Sequence, residues 1–334
     1  MSHQPIQHVV NHSWHNTRWN WLAKALPELA WTPFTRQSIE RPRNESLRSL
    51  MTAWRAVKAA SQPGTLLVSH GALPATYAEL MSLLTGRKVR HVVYAFNFTT
   101  LPRGLKRWVM QTMLSRVERL AVFSTMERTL YARHFHLPPE KIDYVPWSAN
   151  PLEGGQWPEG LTPQDFVCAI GSQARDYRTL LAAAAELPHI PIVIVAAPEN
   201  LADLTVPSNV QVFTRLPLAQ VGGILLRSRF MVLPLLTSEV PCGHVTLVSA
   251  FHAGKAVVVT DSTGIHDYIC PGENGLLTAP RSAPALSQAI LDLWNDPARA
   301  DAMGRHGQAR AAQSHTEAAT VSYFKGLLAR LNTP

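Results

Sequence analysis

The sequence predicts an α/β fold of two Rossmann-like, doubly wound domains facing each other across a cleft. Three observations carry this expectation. Between residues 65 and 145, apolar runs of strand length alternate with segments of helical spacing. The same alternation restarts at residue 166 and continues to 261. Between the two lies SANPLEGGQWPEGLTPQ, residues 148–164, whose three prolines and three glycines break both periodicities. The expected division is an N-terminal domain over 1–150, a linker over 151–164, a C-terminal domain over 165–313, and a helix over 314–334 free to pack back on the first domain.

Taken in order, Ile6 to Asn11 is a candidate first strand and Trp19 to Leu26 a short helix ended by Pro27. Residues 31–44, rich in Thr, Pro and Arg, read as loop, and Ser46 to Ala60 as helix. Strands follow at 65–69, 89–96, 120–124 and 142–145, separated by helices at 75–84, 103–119 and 126–134. In the second half, strands are expected at 166–170, 191–197, 210–213, 230–236 and 256–261, with helices near 176–186, 217–227 and 243–253. The chain closes on helices at 282–295, 298–312 and 315–331. Strand–helix repetition of this kind builds parallel sheets through right-handed crossovers.

With 334 residues and 46% hydrophobic content the chain buries a large core. No apolar stretch approaches the roughly 20 residues that span a bilayer, and MSHQPIQHVVNHSWHN lacks the charged start and apolar centre of a signal peptide. A cytoplasmic location is therefore expected. Cys168, Cys242 and Cys270 are odd in number and show no CxxC spacing, which suggests neither a disulfide framework nor a zinc site and favours buried small apolar residues. Charge is uneven: residues 1–150 carry 19 Lys/Arg against 8 Asp/Glu, whereas 151–334 carry 12 against 15. The basic first half suits an anionic partner, or is simply a solvated face.

Residues 230–277 organise the second half. Strand, helix and strand follow one another, and the turn TSEVPCGH leads into the helix start at Gly243, His244, Val245 and Thr246. Unpaired N–H groups and the helix dipole favour an anion there. Arg175, just beyond the strand end at Gly171 and Ser172, is the candidate cation, since a guanidinium grips phosphate oxygens in a fork. The alternative is a surface arginine pairing Asp176 or Glu186. Gly171 lets a ligand approach the backbone, or only ends the strand.

In RGLKRWVMQTMLSRVERL, residues 103–120, Leu105, Trp108, Val109, Met113, Val117 and Leu120 recur at helical spacing beside Arg103, Lys106 and Arg107. This reads either as an interfacial helix on an anionic membrane or as a helix packed on its own sheet. No nucleic-acid-binding motif accompanies the charge, and no nucleic acid is expected.

GKAVVVTDSTGIHDYICPGENGLL (254–277) and LSQAILDLWNDPARADAMGRHGQARA (286–311) resemble the donor-binding signature and following helices of GT-B glycosyltransferases of family 4. VCAIGSQARDYRTLLAAA (167–184) and LAVFSTMERTLYARHFHLPPEKIDYVPW (120–147) extend the resemblance across about 65–331. It implies sugar transfer from a UDP- or GDP-linked nucleotide-sugar, as substrate, to a glycan or lipid-linked acceptor, with retention, no essential metal and no cofactor. A peripheral position on the inner membrane face would follow from a lipid-linked acceptor.

The chain departs from that pattern at two places. Where the family has two glutamates eight positions apart, this chain has Pro241 and Ser249, with Glu239 two residues upstream. Where many relatives place a histidine after the fourth strand stands Asn97, which orients a hydroxyl but is no base near neutral pH. His70, ending the third strand, is the other candidate at the expected cleft. These departures keep open a non-catalytic nucleotide-sugar or glycan-binding scaffold, and a nucleotide-sugar epimerase on the same fold.

Overall fold

A computed structural model describes residues 4–14, 20–41, 43–98, 100–152, 154–162, 164–236 and 242–333. In chain order the elements are β1 (His8–Ser13), α1 (Asn20–Ala25), β2 (Ala30–Thr35), α2 (Glu45–Ala60), β3 (Thr65–His70), α3 (Ala72–Thr85), β4 (Arg90–Tyr94), α4 (Gly104–Leu114), β5 (Arg119–Val122), α5 (Thr125–His134) and β6 (Ile142–Tyr144). There follow β7 (Val167–Ile170), α6 (Tyr177–Ala185), β8 (Ile192–Val195), β9 (Val210–Phe213), α7 (Leu218–Arg227), β10 (Met231–Leu233), α8 (His244–His252), β11 (Val257–Thr260), β12 (Gly275–Thr278), α9 (Ala283–Asn295), α10 (Pro297–Ser314) and α11 (Glu317–Asn332). They form two units, Met1–Pro146 with Glu317–Pro334, and Trp147–Thr316.

The first unit holds a six-stranded sheet of order β2-β1-β3-β4-β5-β6, parallel throughout. Strand β2 overlaps the expected loop, starting one residue before it. Pro33 argued against a strand there, but β2 is an edge strand paired only with β1, where a missing N–H costs no ladder bond. Val10, Val57 and Leu67 pack in one core cluster, and Val93, Phe96, Val122, Tyr131 and Phe135 in another. Local capping fixes the helix starts: Asn44 accepts from the Leu47 N–H at 3.0 Å, and Ser124 accepts from the Glu127 N–H at 3.1 Å. The Glu127 carboxyl returns the contact, accepting from the Phe123 N–H, the Ser124 hydroxyl and the Tyr131 hydroxyl, and burial pushes it up to about 7.

A polar ladder crosses this interior. The His12 Nδ1 lies 3.1 Å from Ser69 Oγ, which lies 2.8 Å from His91 Nε2, and the His91 Nδ1 lies 2.7 Å from Glu79. Arg116 closes it by donating to Glu79 at 2.9 Å. Helix α11 also belongs to the first unit. Its Asn332 accepts from the Ile6 N–H, its Leu331 carbonyl accepts from Arg90, its Tyr323 hydroxyl donates to Asp143 at 3.0 Å, and Phe324 packs on Tyr94.

The second unit repeats the architecture with order β12-β11-β10-β7-β8-β9, again parallel. The short edge strand β12 was not expected from the sequence. Its four residues follow a turn in which Gly272 takes a positive φ, too little chain to show a period. The segment expected as a linker is not free chain. The Gln156 N–H donates to Ala219 O at 3.0 Å, Arg227 lies over the Trp157 ring, and a Cβ on Gly223 would stand 1.9 Å from the Gln156 carbonyl. Of its glycines, Gly155 serves close packing against α7, where a Cβ would stand 2.6 Å from Gly223, whereas Gly154 and Gly160 take positive φ and serve turning.

Candidate functional site

In the second sheet, β7 leads outward to β8 and β9 while its other neighbour, β10, leads towards β11 and β12. The crevice outside the carboxyl ends of β7 and β10 is therefore the topological switch point of the sheet, where ligands of such folds collect.

Two segments meet there. After β7, Gly171 (φ +120°) and Ala174 (φ +53°) turn the chain so that Arg175 bridges to Leu235. The Leu236 N–H donates to Ala174 O and the Asp176 N–H to Pro234 O. The φ of +120° at Gly171 favours glycine, and the Arg175 guanidinium folds over it, 2.5 Å from where a Cβ would stand. After β10, Gly243 caps α8 with φ +87° and without a side-chain hydrogen bond, so among the described residues no side chain caps the first-turn N–H groups. A Cβ there would press on Leu233 at 3.0 Å.

Arg175 joins the two segments. It is 7% exposed and donates to Gln173 O at 2.7 Å, Ile170 O at 3.4 Å and Thr246 Oγ1 at 3.0 Å, all neutral acceptors. Among the described residues no carboxylate pairs with it. Asp176 is occupied capping α6 through the Thr179 N–H and hydroxyl, and Glu186 accepts from Ser287, so neither is the surface partner weighed from the sequence. Burial pulls the arginine pKa down, the mark of a cation held without a full counter-charge. The Cys242 thiol beside it, raised by burial and opposed by Arg175, was not singled out from sequence. Its place immediately before the cap of α8 was the available signal.

The remaining predicted residues are placed as follows. Ser172 is exposed, with its Oγ accepting from the Ala197 N–H at 2.8 Å and its carbonyl from Asn200. His244 is buried, stacked 4.6 Å from Tyr268 with Nε2 3.4 Å from Gly264 O, and burial pushes its pKa down to about 4. Tyr268 stacks in turn on His315 and accepts from the Trp147 N–H. Val245 is exposed, and Ser249 donates to Val245 O at 2.9 Å, within its own helix. Glu239 and Pro241 lie outside the described residues.

In the first unit, His70 ends β3, edge-on to Tyr94 at 5.9 Å, and burial pushes its pKa down to about 3. Asn97 is exposed beyond β4. On α4, Arg103, Lys106 and Trp108 are exposed, while Arg107 donates to His134 O at 2.8 Å. Among the described residues no cluster of His, Cys, Asp and Glu could hold a metal, and no helix is long and apolar enough to cross a membrane.

Two Rossmann-like domains, each a six-stranded parallel sheet flanked by helices, make this a GT-B fold. Solved structures with the same architecture include a sucrose-phosphate synthase from Thermosynechococcus elongatus, 17% identical with TM-score 0.74 over 97% of this chain and 99% of that one. Anabaena HepE in complex with UDP and glucose is 16% identical with TM-score 0.72 over 97% and 99%, and in complex with UDP-glucose 15% identical with TM-score 0.70 over 97% and 98%. Residues 166–296, which hold Gly171, Arg175 and the start of α8, match the family model for glycosyl transferases group 1. No curated protein matches the sequence.

Proposed function

We propose that the protein transfers a sugar from a nucleotide-sugar to a glycan or lipid-linked acceptor, binding the diphosphate between Arg175 and the first turn of α8. The observation that carries this reading is the buried Arg175 guanidinium, bonded to Thr246 and to backbone carbonyls but to no described carboxylate. A buried unpaired cation is costly, and a bound polyanion removes the cost. As the bond from the sugar to the diphosphate breaks, negative charge grows on the leaving oxygen. A fixed guanidinium and uncapped helix N–H groups stabilise that charge without a metal. The departing phosphate oxygen then accepts the acceptor's proton, so retention proceeds without a base at Asn97. The match over 166–296 and the UDP and UDP-glucose complexes of HepE support a nucleotide-sugar as the ligand.

Calorimetric titration of the protein with UDP-, GDP- and ADP-sugars tests the reading, and no binding to any of them refutes it. A second reading, a nucleotide-sugar-binding scaffold without turnover, is favoured by Ser249, whose hydroxyl is turned onto its own helix where relatives carry a carboxylate. Binding without transfer across an acceptor library or hydrolysis would select it.

A further inference from the structure

At the amino ends of β7, β8 and β9 the second unit holds a cavity of about 540 Å³, within the range of small-molecule sites. Its floor is the start of the sheet, where Phe166, Ile192 and Val210 lead into or begin the three strands. Leu161, Thr162 and Gln164 form one wall. Gln211 on the edge strand β9 ties down the chain leading into that wall, its Nε2 donating to Gly160 O at 2.6 Å. The strands run about 13 Å over their four residues, so their length separates this cavity from Arg175 at their carboxyl ends.

No Asp, Glu, Lys or Arg lines the cavity. A charged ligand would therefore leave water for a site that offers it no counter-charge. Amide and hydroxyl groups line it instead. The Nδ2 of Asn209 is spent on the carbonyls of Ala184, Leu187 and Ile190 at 2.8 to 3.1 Å, as the Nε2 of Gln211 is on Gly160. These bonds hold both amides in place, and Asn209 Oδ1 and Gln211 Oε1 accept from no described residue. The side chains of Thr162, Gln164, His189 and Ser208 are exposed and hydrogen-bond to no described residue. Pro188 and Pro191 add apolar surface.

We propose that this cavity binds an uncharged saccharide, at a site separate from the crevice of Arg175. Sugar hydroxyls both donate and accept, which matches two fixed amide oxygens set beside hydroxyl, amide and imidazole groups that can take either part. The C–H faces of a sugar ring bury apolar surface against the prolines. Because the amides and the strand starts are already held in place, binding orders little of the protein. The proposal does not rest on the nucleotide-sugar reading, since its ligand carries no phosphate and its test uses no nucleotide.

Saturation-transfer difference NMR on the full chain with glucose, galactose, mannose, N-acetylglucosamine and maltose tests it. Transfer to at least one of these sugars is expected. Glucuronate should bind more weakly, because its carboxylate would face the amide oxygens with no cation beside it. Gln164→Ala, Ser208→Ala and Gln211→Met should each raise the dissociation constant by about two- to tenfold, the loss of one neutral hydrogen bond. Arg175→Ala, at the other end of the sheet, should leave it unchanged. If Gln211→Met does not fold, since it also releases Gly160, the two variants at exposed positions decide. No transfer to any of the five sugars, glucuronate binding as tightly as the best of them, or wild-type binding by the cavity variants overturns the proposal. So does a loss in Arg175→Ala, since that places the sugar in the crevice instead.

Discussion

The 3.0 Å hydrogen bond from Arg175 Nη2 to Thr246 Oγ1 spans 71 residues of sequence and joins the turn after β7 to the first turn of α8. It fixes the guanidinium beside the start of α8, where among the described residues the cap is a glycine and no side chain caps the helix. Replacing Arg175 by Ala should weaken nucleotide-sugar binding by about 1.5–3 kcal/mol, the range for hydrogen bonds to charged groups. The same change should not lower the melting temperature of the free protein, because it also removes a desolvated cation. Calorimetry and thermal melts on one preparation check both. An unchanged affinity would remove Arg175 from the site.

Thr246→Val keeps the shape of the first turn of α8 and deletes the acceptor. Arg175 loses its only side-chain partner among the described residues, so the guanidinium is positioned less well. Affinity for the nucleotide-sugar should fall by about 0.5–1.5 kcal/mol, less than for Arg175→Ala. A loss equal to that of the arginine variant would mean that Thr246 meets the ligand itself.

Gly223→Ala should destabilise the protein by about 1–3 kcal/mol in urea unfolding, the cost of overpacking a tight contact. The added methyl meets the Gln156 carbonyl, so the segment around Gly155 must shift away from α7. If residues 151–164 were free linker, the substitution would favour the helix and raise stability slightly.

Acid should weaken the fold through its histidines. His12 and His70 are pushed down to about 3 and His244 to about 4, so between these values and 6.5 the unfolded chain takes up protons that the folded chain refuses. Stability is therefore lost as pH falls through that window, each group contributing at most about 1.4 kcal/mol per pH unit. Glu127 acts in the opposite sense. Raised to about 7, it holds a proton in the folded state that the unfolded state releases, so it costs stability as pH rises from 4.5. The melting temperature should fall on going from pH 6.5 to 4.5, and Glu127→Gln should make the fall steeper.

The alternation of strands and helices was legible because many core strands hold runs of Val, Ile, Leu and Ala, as in Leu66–Leu67–Val68 or Val257–Val258–Val259. What escaped was set by position in the sheet. Pro33 forbids a central strand, and only the order of strands reveals that β2 lies at an edge. The meeting of Gly171 with Arg175 could be anticipated from a strand end followed by a basic turn. The freedom of Arg175 from Asp176 could not, since it depends on Asp176 being taken by the cap of α6. The stack of His244, Tyr268 and His315 joins residues too far apart in sequence for spacing to suggest it. The α4 stripe has a single helical period in sequence, and only the packed helix separates its buried members from Leu105 and Trp108.

The membership of α11 in the first unit sets an order of assembly during synthesis. Residues 147–316 are continuous and can fold as soon as they leave the ribosome. The unit that begins the chain gains the contacts of Tyr323, Phe324 and Asn332 with Asp143, Tyr94 and Ile6 only when the last helix has been made. A chain cut before Glu317 would keep residues 147–316 whole while the first unit lost the contacts that Tyr323, Phe324 and Asn332 bring to it.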